Sequence, residues 1–169
     1  MSELATRSAA IRLLVLDVDG VLTDGTILLG SGEELKSFHV RDGLGMQRLM
    51  SAGIEVAVIS GRRSAAVARR MTELGVHHVF QGIDDKLAVL ERLQAKLGLD
   101  AGEIAVVGDD LPDLPPMRAA GLAIAVADAH ADVRAAAHWV TAAPGGRGAV
   151  REVSDRLLAV RALPHGAGA

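Results

Sequence analysis

The 169-residue chain contains no cysteine and no tyrosine, and its aromatic side chains are Trp139, Phe38 and Phe80 alone. Without cysteine there can be no disulfide, no thiolate metal site and no cysteine nucleophile. With three aromatic rings there is almost no platform on which unpaired bases could stack. Basic residues are not in excess either: 18 Lys and Arg face 21 Asp and Glu, a net charge of −3. The charges are interspersed, so no basic face for a phosphate backbone is formed and no nucleic-acid partner is expected. No apolar run approaches the ~20 residues a bilayer requires. The polar segment Met1 to Ile11 has the character of neither a secretory signal nor a spanning helix. A soluble, cytoplasmic protein with no membrane partner is the expectation.

What the chain has is apolar residues, half of the total and mostly Ala, Val and Leu. That suffices for one domain, placed at residues 11–160. The run Leu13-Leu14-Val15-Leu16 ends in Asp17-Val18-Asp19-Gly20. A short apolar run closed by turn residues reads as a buried strand of a parallel sheet. Further strands are expected at 55–59, 77–80, 104–107, 122–126 and 138–140. Helices are expected at 42–52, 64–74, after Asp84 or Asp85, from Pro115 toward Gly121, and at 147–160. This alternation predicts an α/β fold, a doubly wound parallel sheet with helices on both faces. One segment breaks the rhythm: 26–29 and 35–38 flank Gly30-Ser31-Gly32 and read as a β-hairpin inserted at about 25–40, after the first strand. So small a hairpin needs cover for its apolar side, which predicts packing on another subunit.

Open α/β sheets bind ligands at the carboxyl ends of their strands. Taken in order, those ends offer Asp17 and Asp19, then Ser60, then Lys86, then Asp109, Asp110 and Asp113. The set suits phosphoryl transfer through an aspartate. A carboxylate can attack phosphorus to form an acyl phosphate. A divalent cation held by Asp17 and Asp109 would neutralise the transferred group, while Ser60 and Lys86 complete the cage around its oxygens. Asp19 is spaced to protonate the leaving alkoxide and then activate water. All-oxygen ligands favour Mg²⁺ over zinc.

Each group also has a plainer reading. Ser60 is a common turn residue, and Lys86 could be a solvated lysine, although the first turn of a helix is an unfavourable place for a cation. Asp110 could assist a metal through water, whereas Asp113 could cap or orient the next helix. Arg62 and Arg70, eight residues apart, would share a helical face able to grip a carboxylate or phosphate. Gly145-Gly146-Arg147 is either a flexible turn into a helix or an anion-binding helix start. His77 and His78, adjacent on a strand, face opposite sides and make no metal pair.

Asp17-x-Asp19-Gly20-Val21-x-Thr23-Asp24, Ser60-Gly61-Arg62, Lys86 and Gly108-Asp109-Asp110-x-x-Asp113 resemble the four motifs of the haloacid dehalogenase superfamily. Lys36-x-Phe38-x-Val40-Arg41-Asp42-Gly43, Gln81-Gly82, Val126-Ala127-Asp128-Ala129 and Gly145 to Glu152 resemble its small capless subfamily of 3-deoxy-ulosonate phosphate phosphatases. The resemblance implies a nucleophile at Asp17 and an acid/base at Asp19. It implies Mg²⁺ on Asp17, Asp109 and the Asp19 backbone carbonyl, with phosphoryl contacts from Ser60, Gly61 and Lys86. For the sugar-acid end it implies His39, Val40, Arg41, Asp42, Gly43, Arg62 and Arg70, and it brings Arg147 toward a neighbouring subunit's site in a homotetramer joined through the hairpins. The implied reaction is hydrolysis of 3-deoxy-D-manno-octulosonate 8-phosphate, in lipopolysaccharide precursor biosynthesis. His39 and Gln47 depart from the residues common at those positions, which keeps a nine-carbon ulosonate 9-phosphate as the alternative substrate. From another class, a phosphoacceptor signalling receiver combines similar groups, but it carries its acceptor on a middle strand rather than the first.

Overall fold

The computed structural model describes residues 2–30 and 34–161. Eight strands and seven α-helices alternate along it. They are α1 (Glu3–Ala10), β1 (Leu13–Leu16), β2 (Leu28–Leu29), β3 (Glu34–Leu35), α2 (Val40–Ser51), β4 (Glu55–Ser60), α3 (Ala65–Leu74) and β5 (His78–Gln81). After these come α4 (Lys86–Leu97), β6 (Ile104–Gly108), α5 (Leu114–Ala119), β7 (Leu122–Ala125), α6 (Ala131–Ala136), β8 (Trp139–Val140) and α7 (Ala149–Arg161).

Six strands form one sheet in the order β5-β4-β1-β6-β7-β8, every pairing parallel. The expected doubly wound α/β architecture is therefore present. All four residues of β1 are buried, as a strand covered on both faces requires. Helices α1 and α2 pack on α7, with α3 beside α2, while α5 packs on both α4 and α6. From β1 the chain runs outward to β4 and β5, then returns to β6 and runs outward the other way. The reversal lies between neighbours β1 and β6, and a crevice opens at their carboxyl ends.

Helix ends follow local chemistry. Asp85, rather than Asp84, caps α4 by accepting from Ala88 N at 3.0 Å, and Gly98 closes that helix in the left-handed conformation at φ +63°. Two helices had no counterpart in the sequence reading. The polar stretch before Ile11 forms α1, capped by Ser2 and tied to the residue that precedes β7 by Arg7 Nη1 donating to Gly121 O at 2.6 Å. Helix α6 buries only Val133, so no apolar stripe announced it.

The hairpin is shorter than 26–29 and 35–38: Leu28 pairs with Leu35 and Leu29 with Glu34, antiparallel. Of its expected turn, Ser31 and Gly32 lie outside the described residues, as does His165 to Ala169, the end expected to fray. Leu28, Leu29 and Leu35 expose 49 %, 82 % and 56 % of their surface. Among the described residues no helix is long and apolar enough to cross a membrane.

Candidate active site

Directly after β1 the backbone folds into a tight turn. The carbonyl of Val18 accepts from the amides of Val21, Leu22 and Thr23, at 3.2, 2.9 and 3.0 Å. Gly20 makes that turn at φ +97°, and a β-carbon on it would lie 2.0 Å from Asp109 Oδ2. Glycine is thus required twice there, for the left-handed backbone and for the approach of the Asp109 carboxylate. Asp17, Asp19, Ser60, Gly61, Arg62, Lys86, Asp109, Asp110 and Asp113 all line one pocket of about 380 Å³ at the crevice between β1 and β6.

Lys86 opens α4 yet points away from solvent. Its Nζ donates to Asp17 Oδ1 at 2.7 Å and to Asp113 Oδ1 at 2.7 Å, and all three side chains are buried. The other Asp113 oxygen accepts from the amides of Asp109 at 3.0 Å and Asp110 at 3.3 Å. Asp113 therefore ties the lysine to the loop that carries Asp109. Asp110 caps the 3-10 turn Leu111–Asp113. The Ser60 hydroxyl, at the end of β4, accepts from Arg62 N at 3.3 Å and shapes the turn after the strand.

Six carboxylates (Asp17, Asp19, Asp84, Asp109, Asp110, Asp113) and two cations (Arg62, Lys86) line this pocket. The imbalance shows in their titration. Burial, with Asp113 beside it, pushes the Asp17 carboxyl up to about 6 although Lys86 opposes the shift. Burial and repulsion from Asp17, Asp113 and Asp110 push Asp109 up to about 8. Burial alone would pull the Lys86 ammonium down, but Asp17 and Asp113 outweigh it and hold it above its usual value. A divalent cation would relieve this repulsion where one ammonium does not. The residues fit one: oxygens of Asp17, Asp109 and Asp113 lie within 4.8 Å of each other, and Asp109 Oδ1 is buried without a hydrogen-bond partner. An all-carboxylate set suits a hard cation such as Mg²⁺.

The residues expected at the sugar-acid end are not gathered as closely. Arg62 lines the pocket, but the shared helical face with Arg70 does not exist. Helix α3 begins only at Ala65, because Gly61 to Arg63 form the turn after β4 and Ser64 is the cap. Arg70 lies on α3 against Gly43, where a β-carbon would stand 2.5 Å from Arg70 Nη2. Asp42 is fully buried and turned away, accepting from Gly148 N at 3.3 Å and Arg151 N at 2.8 Å at the start of α7. His39 precedes α2 with Nδ1 buried and unpaired, while Val40 and Arg41 are exposed. Arg147 pairs with Asp24 of its own chain at 2.9 Å. Two contacts at the site had no forecast in the sequence. Asp113 anchors Lys86, and Lys36 of the hairpin reaches the Asp19 carboxylate.

A family model described as haloacid dehalogenase-like hydrolase matches residues 76–151. The 3-deoxy-D-manno-octulosonate 8-phosphate phosphatase of Yersinia pestis is 49 % identical over 162 residues, 95 % of this chain and 87 % of that protein. Its counterpart in Escherichia coli K12 is 49 % identical over 158 residues, 93 % of this chain and 84 % of that protein. The crystal structure of the Moraxella catarrhalis phosphatase of the same name, with magnesium, phosphate and the sugar acid bound, superposes with a TM-score of 0.93. It is 46 % identical and covers 95 % of this chain and 93 % of its own.

Proposed function

This chain belongs to the haloacid dehalogenase-like hydrolases, and from that premise we propose that it is the magnesium-dependent phosphatase that cleaves 3-deoxy-D-manno-octulosonate 8-phosphate to the free sugar acid and phosphate. The observation that carries this reading is the convergence of Asp17, Lys86 and Asp109 in the crevice between β1 and β6. Relatives of half-identity along nearly the whole chain act on that substrate by name.

Asp17 attacks phosphorus, and the bond from phosphorus to the sugar oxygen breaks as an aspartyl phosphate forms. Asp19, two residues on, gives its proton to the departing sugar oxygen. It then takes a proton from water, whose oxygen attacks phosphorus and frees both phosphate and the Asp17 carboxylate. Lys86, Ser60 and the Gly61 backbone hold the phosphoryl oxygens, with Asp113 fixing Lys86. Asp17, Asp109 and the Asp19 backbone carbonyl would hold Mg²⁺, which would supply positive charge to offset that of the transferred group. His39, Val40, Arg41, Gly43, Arg62 and Arg70 serve the sugar-acid end, with Asp42 setting the start of α7 beneath Arg147.

Leu28, Leu29 and Leu35, apolar and exposed on a two-stranded hairpin, support a homotetramer built through the hairpins, in which Arg147 serves a neighbour's site. A cytoplasmic location accords with the cysteine-free sequence.

The test compares kcat/KM for the octulosonate 8-phosphate and for a nine-carbon ulosonate 9-phosphate, with Mg²⁺ present. A preference of at least about tenfold for the eight-carbon ester, some 1.4 kcal/mol, is the expected result. Equal values or a reversed preference would overturn the substrate assignment. A stable phosphoryl adduct without turnover would instead favour a signalling receiver.

A further inference from the structure

Lys36 follows directly on β3 of the hairpin, outside the four strand-end motifs. Its side chain is only 1 % exposed. Burying an ammonium is costly unless it is paired, so its partners matter. The Nζ contacts Asp19 Oδ1, and its second anion is Glu34, with Oε1 at 3.2 Å. Glu34 in turn pairs with Arg62, whose Nε lies 3.7 Å from Asp19 Oδ2. Both oxygens of Asp19 are thus approached by cations that Glu34 of the hairpin holds in place.

We propose that Lys36 is a positioning residue for proton transfer: the hairpin, through Lys36 and Glu34, aims the Asp19 carboxyl at the leaving oxygen. This rests on the phosphatase reading above, and it adds that the inserted hairpin belongs to the chemistry as well as to subunit contact. The turn after β1 sets where the Asp19 backbone lies, but a carboxyl group free to rotate can miss its target. A misplacement of about 1 Å can cost about 100-fold in rate, and general-acid catalysis as a whole contributes about 10²–10⁴. Lys36 therefore affects esters that need a proton on the departing oxygen and spares those that do not.

Ring-substituted phenyl phosphates test this, because they vary the leaving group without carrying the sugar's carboxylate. Their kcat/KM covers the step that expels the alcohol, before water enters. For Lys36→Met, the loss relative to the parent is expected to grow from under about threefold on 4-nitrophenyl phosphate to over about tenfold on phenyl phosphate. A loss of equal size across the series, or none, would overturn the positioning role and leave the phosphatase reading standing. Failure of the parent to hydrolyse any ester would remove both. Circular dichroism checks the fold, and if Lys36→Met does not fold, Glu34→Gln, which removes the second anchor of Lys36, is read on the same series.

Discussion

Gly145 lies against Gly20 so closely that a β-carbon on it would stand 1.6 Å from the Gly20 carbonyl oxygen. Beside it, Gly146 N donates to Val21 O at 2.8 Å, and Gly145 N donates to Asp128 Oδ1 at 2.9 Å. The segment that reads in sequence as either a flexible turn or an anion-binding helix start thus braces the turn carrying Asp17 and Asp19. Gly145→Ala must push that turn aside. It is expected to cost about 1–3 kcal/mol, the usual range for overpacking. At about 2–4 °C per kcal/mol for a chain of this size, thermal denaturation will resolve the loss. An unchanged Tm would mean that the close approach is not maintained in solution.

Asp17→Asn removes the proposed nucleophile while Lys86 keeps Asp113 as a partner. Turnover should fall by more than about 10⁴-fold with the circular dichroism spectrum unchanged. Residual phosphate release near the parent's rate would exclude Asp17 as the nucleophile.

Asp113→Asn leaves every proposed reacting group in place but weakens the tie between Lys86 and the Asp109 loop. A loss of about 10–100-fold in kcat/KM is expected, as for other residues that orient a metal site or its surroundings. Titrating the variant with Mg²⁺ should also show weaker activation. Wild-type kinetics in this variant would assign Asp113 to folding alone.

The raised carboxyls make a prediction about pH. Asp109 titrates near 8 in the folded, metal-free protein and near 3.8 when unfolded. Between those values the folded state keeps a proton that the unfolded chain has released, so stability falls as pH rises through this window. Solvent reaching the pocket reduces the size of the effect. At pH 8 without metal, Asp109→Asn should raise Tm by about 2–4 °C, the shift that ~1 kcal/mol makes. It should also abolish the gain in Tm that Mg²⁺ gives the parent. Scanning calorimetry with and without Mg²⁺ checks both signs.

Leu29→Glu places a charge on the most exposed leucine of the hairpin. If subunits meet there, sedimentation should show smaller species. kcat/KM should drop while Tm moves by only a few degrees, since Leu29 lies outside the core. A variant that keeps the parent's mass in solution would dismiss the hairpin as the contact.

Much of this molecule is legible in the residues alone. The four buried strands β1, β4, β6 and β7 announce themselves because a parallel sheet covered on both faces demands short apolar runs. The acidic, hydroxyl and lysine groups at their ends follow from that regular spacing, since a strand's last residue must lie at the sheet's carboxyl edge. Helix α1 stayed hidden because its burial comes from docking against distant parts of the chain rather than from an apolar stripe of its own. The sugar-binding expectation for Asp42 likewise met a partner 106 residues away, Gly148 at the start of α7. Only the folded chain decides such pairs: it turns Asp113 onto Lys86, Lys36 onto Asp19 and Gly145 under Gly20. Local sequence sets which way a backbone runs and which groups end each strand. Which charge meets which across a crevice depends on how separate segments pack, and no single stretch of sequence contains that information.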